Sequence, residues 1–232
     1  MRDQGLDDGV VRLREWADDD AAWYAESVRD PLIQRFTTES AALDAGQVLA
    51  AIVKLRASNM DAGFVVCDAV TGARLGNIAL HHDGHSGEIS YWVAAEGRGR
   101  GVAARALALF SAWSFHTIGL HELWLLVHQD NIASRRVALH AGYRRDPRRD
   151  ESQEVKGAIW PMLGFALSRS GALPPRSPRR SFQPLCAAAE REENELDNAH
   201  ADHPAQPLEI EPARGHQSRG QRPASRGPGA GQ

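Results

Sequence analysis

Cysteine is nearly absent from this sequence, which has two, Cys67 and Cys186, among 232 residues. Two isolated cysteines exclude a disulfide framework and supply no paired thiols at zinc-binding spacing, so a reducing cytoplasm is the expected location. Long apolar runs are lacking too, because the most apolar window, Val102 to Phe115, is interrupted by Arg105. The sequence predicts neither an export signal nor a membrane partner.

Charge of one sign is also lacking, since 27 Lys and Arg residues face 30 Asp and Glu residues, for a net charge of −3. Without a basic surface, nucleic acid is not an expected partner. The densest group of arginines is interspersed with aspartates and predicts a solvated loop. These arginines are Arg144, Arg145, Arg148 and Arg149.

Tryptophan and tyrosine are missing from the C-terminal part of the chain, because all of them precede residue 170. Residues 171–232 are rich in Pro and Gly and poor in Leu, Ile, Val and Phe, so they cannot bury a core. The sequence therefore predicts a folded domain over residues 1–170 and a disordered tail over residues 171–232.

The folded part opens with alternating apolar and charged residues from Val10 to Trp16, which predict a half-buried strand. Carboxylates at Asp18 to Asp20 suit the first turn of a following helix. Helical spacing indicates a second helix from Ser40 to about Ala57, with Pro31 separating the two helices.

Three short β-rich runs follow, Phe64–Cys67, Arg74–Leu80 and Glu88–Val93, with turn-like segments between them. Short separators predict consecutive antiparallel pairing. Further along the chain we expect a helix after residue 101, a buried strand over His121–Val127 and a parallel crossover between them. The last expected elements are a helix capped by Asn131 and ended by Gly142, and a strand over Ala158–Leu167.

A glycine-rich loop joins the third β-run to the helix that follows it. Unpaired N–H groups at a helix N-terminus attract anions, and Gly97, Gly99 and Gly101 permit close approach. Arg98 and Arg100 add positive charge and two-pronged donors. The loop therefore predicts a site for a phosphate or pyrophosphate.

The same loop admits a second interpretation, because Gly99–Ala104 also satisfies the dinucleotide pattern G-x-G-x-x-[GA]. A nicotinamide enzyme is therefore an alternative. In a dinucleotide-binding fold the motif usually follows the first strand, and an acidic residue ends the next strand. Here four predicted strands precede the loop, and Glu122 begins the next strand. No G-x-x-x-x-G-K-[ST] string supports a P-loop enzyme.

Several segments together resemble one family. Arg98–Ala103 is similar to the [QR]-x-x-G-x-[GA] signature for acetyl-coenzyme A (acetyl-CoA) in the GNAT superfamily of N-acetyltransferases. Glu88–Val93, Val127–Ser134, Ala141–Tyr143 and Trp160–Leu163 resemble the branch that includes the ribosomal-protein N-terminal acetyltransferases of the RimJ and RimL type. The resemblance spans about residues 10–169.

The resemblance implies a mixed α/β fold, with a sheet of six to seven strands flanked by helices and splayed between strands 4 and 5. It implies acetyl-CoA as co-substrate and no metal. Tyr91 and Val93 would lie on the strand that bonds pantetheine through its backbone, and Asn131 would meet the pantetheine arm. The pyrophosphate would bind the backbone of Arg98, Gly99, Arg100, Gly101, Val102 and Ala103.

The resemblance also implies catalytic roles. Glu88 matches the base, acting directly or through a water, although an ion-pair partner on a strand is the simpler interpretation. Ser134 matches the donor of a proton to the leaving thiolate, although a hydroxyl in a helix first turn explains it equally. Ala138 stands where other branches have a tyrosine donor, and Tyr143 is expected in the core.

Three function hypotheses remain open from the sequence. The first is acetyl transfer to a primary amine by direct attack in a ternary complex, with a protein N-terminal α-amine as the preferred acceptor. The second is a small-amine acetyltransferase acting on amino acids, polyamines or aminoglycosides. The third is a non-catalytic acyl-CoA sensor. His81, His82 and His85 have only Asp83 beside them and predict no metal, and a monomer or homodimer is expected.

Overall fold

A computed structural model describes residues 6–169, which form one eight-stranded sheet and five α-helices. The predicted tail over residues 171–232, with Cys186, lies outside the described residues. The strands are β1 (Val11–Arg14), β2 (Asp61–Asp68), β3 (Arg74–His82), β4 (Ser86–Val93), β5 (Glu122–His128), β6 (Arg144–Arg145), β7 (Glu151–Val155) and β8 (Ala158–Ser168). The helices are α1 (Asp20–Ser27), α2 (Pro31–Phe36), α3 (Ala45–Ala57), α4 (Val102–Trp113) and α5 (Ile132–His140).

The sheet has the order β1-β2-β3-β4-β5-β8-β6, and β7 pairs with the first half of β8. Neighbouring strands are antiparallel except β4 and β5, which the α4 crossover makes parallel. The predicted mixed α/β fold is confirmed. The strand count is eight instead of six to seven because the short β6 and β7 both pair along β8, where the sequence shows little alternation.

The parallel pairing of β4 with β5 is short. It covers Ser86 to Glu88 on one strand and Glu122 to Trp124 on the other, and then stops. Beyond it, β4 continues to Val93 and β5 to His128. The sheet therefore opens between strands 4 and 5, as expected. The glycine-rich loop follows the fourth strand of a mainly antiparallel sheet, which contradicts the dinucleotide-fold alternative.

Two apolar clusters cover the faces of the sheet. Helices α4 and α5 pack on one face around Leu107 and Phe110, both fully buried. Helices α1 to α3 pack on the other face around Tyr24 and Ile52. Among residues 6–169, no helix combines the length and the apolar character that crossing a bilayer requires.

Local capping corrects two sequence expectations. Helix α3 begins at Ala45 instead of Ser40, because Asp44 caps it and forms a reciprocal capping box with Gln47. Pro31 begins α2 instead of merely separating two helices. Proline suits a first helical position because no N–H is needed there, and the Asp30 carboxylate accepts from the N–H groups that follow.

The expectation of a solvated arginine loop is wrong for Arg149, which is 6% exposed. Its guanidinium pairs with the buried Glu122 carboxylate and lies 5.0 Å from the centre of the Trp124 ring. Burial raises the pKa of Glu122, and the Arg149 charge opposes that rise. Arg149 therefore neutralises the charge of the buried Glu122 carboxylate at the start of β5.

We expect Arg149→Met to lower the free energy of unfolding by about 3–5 kcal/mol, because it leaves the Glu122 carboxylate buried without its cation. Urea denaturation measures this loss. Arg144→Met, on the exposed side of β6, is the matched control and should change stability by less than about 0.5 kcal/mol. Adding Glu122→Gln to Arg149→Met should restore most of the loss, and an equal loss in both single arginine variants would contradict this account.

Candidate active site

A cleft of about 760 Å³ opens where β4 and β5 separate. Both strands contribute to it, together with α2, the glycine-rich loop, the first turn of α4 and the start of α5. Its volume is within the usual range for a small-molecule site. Most predicted site residues line it, namely Glu88, Tyr91, Val93, Arg98, Gly99, Gly101, Val102, Ala103, Asn131 and Ser134.

The glycines of the loop have different structural causes. Gly99 and Gly101 have φ of +73° and +75°, a left-handed conformation that strains other residues. Gly97 is required by packing instead, since a Cβ there would lie 2.7 Å from Val93 Cγ1. Gly101 caps α4 without any side-chain hydrogen bond. The first-turn N–H groups of α4 therefore have no partner within the helix, and they suit an anion.

The two loop arginines have carboxylate partners in this structure. Arg98 donates to Asp30 at 2.7 and 3.1 Å and to the Val93 carbonyl at 3.1 Å. The Arg98 guanidinium holds the pKa of Asp30 below its ordinary value. Arg100 pairs with Asp68 at 3.0 Å and is not among the residues lining the cleft. Because both arginines already pair with carboxylates, the backbone N–H groups of the loop are the candidate groups for binding an anion.

A hydrogen-bonded group bridges the open gap from β4 to α5. The Asn131 side-chain oxygen accepts from the Ser134 N–H at 3.0 Å, the predicted cap. The Tyr91 hydroxyl lies 2.9 Å from Ser134 Oγ. Burial raises the pKa of Tyr91 to about 12, so its hydroxyl stays protonated at neutral pH. Sequence reasoning gave Tyr91 a backbone role and missed this contact, because nothing local relates residues 91 and 134.

Glu88 lies on the opposite face of β4 from Tyr91, since side chains alternate along a strand. It is 8% exposed and lines the cleft from the side of α1 to α3. Trp92 shares its face, beside Asn77 on β3. The Asn77 side-chain oxygen and the Trp92 indole N–H are buried, line the cleft and have no hydrogen-bond partner among residues 6–169.

Glu39 is a cleft residue that the sequence did not reveal. It is 3% exposed and accepts a hydrogen bond of 2.5 Å from the Tyr24 hydroxyl. The segment before it is held by Lys156, at the β7–β8 turn, which donates to the backbone and side chain of Gln34. A long-range contact therefore places α2 and Glu39 over the cleft.

Two other expectations concern residues outside the cleft. Tyr143 is a core residue as expected, 1% exposed, with its hydroxyl 2.8 Å from Ser111 Oγ. Ala138 is fully buried. Within the described part of the chain, no group of three or more His, Cys, Asp or Glu side chains is placed to hold a metal ion.

The similarity of the chain to known proteins agrees with this geometry. The family model of the acetyltransferase (GNAT) domain matches residues 11–144. No curated protein matches the chain. Many solved structures do, and three illustrate them.

Mycobacterium smegmatis RimJ, solved with CoA-disulfide, is 24% identical with a TM-score of 0.62, covering 81% of this chain and 90% of that one. Spermidine N-acetyltransferase from Vibrio cholerae, solved with CoA and spermine, is 19% identical with a TM-score of 0.63, covering 69% and 96%. Ribosomal-protein-S5-alanine acetyltransferase from Vibrio fischeri is 19% identical with a TM-score of 0.61, covering 71% and 96%.

At these identities the solved structures support the fold alone, while the family model covers more than half of the chain. Three structural features agree with the match: a strand pair that opens, a helix N-terminus without a side-chain cap behind a glycine-rich loop, and a cleft between them. The chain therefore belongs to the GNAT family of acetyltransferases, enzymes that transfer an acetyl group from acetyl-CoA to an amine.

Proposed function

We propose that this enzyme acetylates the α-amino group at the N-terminus of a protein, by direct attack of the amine in a ternary complex. One observation carries the chemistry. A buried carboxylate, Glu88, and a hydroxyl pair, Tyr91 with Ser134, lie on opposite faces of β4 where it separates from β5. The amine can lose its proton on one side of the sheet while the thiolate gains one on the other.

The residues present fit acetyl-CoA. The backbone N–H groups from Gly99 to Ala103 would hold the pyrophosphate, and the α4 dipole would favour its charge. The Arg98 N–H already donates to the Ala95 carbonyl at 3.3 Å. Beyond Glu88, the edge of β4 has no strand partner on the β5 side, so backbone groups near Tyr91 and Val93 are available to pantetheine amides. Acetyl-CoA supplies the electrophilic thioester carbon.

Glu88 is proposed to act as the base. An ammonium cannot attack, so a base must first accept its proton. Glu88 suits this role because it lines the cleft from a largely buried position, where its charge is less screened by water.

Ser134 is proposed to donate a proton to the leaving thiolate, with Tyr91 behind it. The Asn131 cap fixes the backbone of Ser134, and the protonated Tyr91 hydroxyl lies within hydrogen-bond reach of its Oγ. When Ser134 gives up its proton, Tyr91 can donate to the oxygen that remains.

The charges around the cleft favour a peptide over a polyamine. The lining residues include two carboxylates, Glu39 and Glu88, and two arginines, Arg98 and Arg136. The cleft therefore lacks a large excess of acids, although Arg98 also pairs with Asp30. A polyamine carries several positive charges and would be bound best by an excess of acids. One wall of the cleft is formed by α2 and the two residues that follow it. This wall presents Leu32, Phe36, Thr37 and Thr38, which suit a peptide chain with one cationic end.

A small diamine is the second candidate acceptor, and Glu39 favours it. A second buried carboxylate in the same cleft provides a place for a second ammonium group, away from the reacting one. The two candidates are distinguished by which acceptor causes release of the coenzyme A thiol.

An acceptor panel tests the proposal. The purified full chain is mixed with acetyl-CoA and either an alanine-initiated peptide, the same peptide with a blocked N-terminus, or spermidine, and released thiol is counted. We expect turnover with the free peptide and none with the blocked one. Turnover with spermidine alone would favour the diamine. If acetyl-CoA stabilises the protein against heat but no amine causes release of the coenzyme A thiol, the non-catalytic acyl-CoA sensor is favoured.

Glu88→Gln should lower kcat by about 10²–10⁴-fold, the usual contribution of a positioned base. The Kd for acetyl-CoA, measured by calorimetry, should be unchanged. Glu154→Gln on the exposed face of β7 is the matched control and should keep wild-type turnover. Equal kcat in both variants would remove Glu88 from the base role and leave a water in its place.

Ser134→Ala and Tyr91→Phe test the proton donor. Each should lower kcat by about tenfold or more, in keeping with general acid catalysis, and the double variant should be little worse than Ser134→Ala because both act through one hydrogen bond. Tyr143→Phe removes another buried tyrosine hydroxyl and should affect stability instead of kcat. Additive losses in the double variant would contradict a shared pathway.

A further inference from the structure

A row of polar side chains crosses three neighbouring strands behind the cleft. Asp61 on β2 lies directly opposite His81 on β3, and His81 lies directly opposite Glu88 on β4. Residues paired in this way share one face of a sheet, with Cβ atoms about 4.5–5.5 Å apart. The row therefore occupies adjacent positions on β2, β3 and β4 and ends at the proposed base.

The outer two members are joined and oriented. His81 Nδ1 is 2.7 Å from Asp61 Oδ1, and Asp61 Oδ2 accepts from the Ser58 hydroxyl at 2.6 Å. Of the two neutral tautomers of an imidazole, a carboxylate beside Nδ1 favours the one that carries its proton on Nδ1. Nε2 of His81 is then a proton acceptor.

Exposure falls along the row. The side chains of Asp61 and His81 are 39% and 34% exposed, whereas Glu88 is 8% exposed and lines the cleft. His81 and Asp61 are not among the lining residues. A buried base gains one proton in each turnover and must return it to water before the next, and the row connects Glu88 to solvent away from the substrate.

We propose that Asp61, His81 and Glu88 form a proton relay that leads from the cleft to solvent across β4, β3 and β2. The acceptor ammonium gives its proton to the Glu88 carboxylate, and the resulting carboxylic acid passes a proton to Nε2 of neutral His81. The imidazolium, stabilised by the Asp61 carboxylate, releases its Nε2 proton to water, which restores the neutral tautomer with a proton on Nδ1. This inference rests on the proposed base role of Glu88, and His81 and Asp61 are positioning residues in it.

Other charged groups near the row have their own partners. Beyond Trp124, which lies opposite Glu88 on β5, Arg149 pairs with Glu122. His82 follows His81 along β3 and faces the other side of the sheet, where its Nδ1 accepts from the Gly84 N–H. Asp83 accepts from backbone N–H groups of the β3–β4 turn.

His81→Gln is the first test, with the alanine-initiated peptide as acceptor. We expect kcat to fall about tenfold, less than for loss of the base itself, with the KM for acetyl-CoA unchanged. Added imidazole at constant pH and ionic strength should restore turnover, because a free base can carry the proton instead. His85→Gln is the matched control, on the same hairpin with its ring stacked on His121, and should show neither effect. An unchanged kcat in His81→Gln, or a loss that imidazole does not restore, would overturn the relay.

Nitrogen NMR of the histidine side chains tests the relay without any acceptor. At alkaline pH, His81 should carry its proton on Nδ1, and Glu88→Gln should shift its Nε2 signal while leaving the signals of His85 in place. A proton on Nε2, or signals that do not respond to Glu88→Gln, would show the relay to be wrong even in an active enzyme. A wild-type protein that acetylates no amine contradicts the proposed function instead, and the NMR result then decides the relay by itself.

Discussion

The parting of β4 from β5 is the constraint on which the rest of this structure depends. Parallel pairing stops after Glu88 and Trp124, although both strands continue. Buried N–H and C=O groups require hydrogen-bond partners. The backbone groups along the two diverging strand edges can therefore be satisfied by a ligand that carries amides. Glu88 and the Tyr91–Ser134 pair reach the same opening from opposite faces of β4, because side chains alternate along a strand. The proposed ligand site and the proposed proton-transfer groups therefore lie together.

One ion pair links the two halves of the cleft. Arg98 in the glycine-rich loop holds Asp30, and Asp30 caps α2, which forms the opposite wall. Both side chains are partly exposed, so the pair adds little to stability. Its effect is positional, because it connects the loop that would bind the pyrophosphate to the helix that would face the acceptor. Lys156 acts in the same way from the other side, through Gln34.

Much of the fold was predictable because its signals are local. Alternation marked β1, and β-rich runs with turn-like separators marked β2 to β4. The glycine-rich loop marked the start of α4, and Asn131 with Gly142 marked the ends of α5. The errors have local causes that compete: Asp44 offers a better cap than Ser40, and a proline that ends one helix can begin the next. Arg149 was misplaced because its sequence neighbours are polar while its spatial neighbours, Glu122 and Trp124, are buried.

The sequence by itself determined the order of the main elements other than the short α2, β6 and β7. It also determined the glycine-rich loop before α4 and most of the residues that could take part in acyl transfer, since periodicity, caps and turn glycines act over a few residues. Tertiary structure alone decided which of them meet. Tyr91 reaches Ser134, Asp61 aligns with His81 and Glu88, and Glu39 enters the cleft because strand register and helix packing bring distant segments together. Such contacts depend on how the whole chain buries its apolar surface, and no local pattern encodes them.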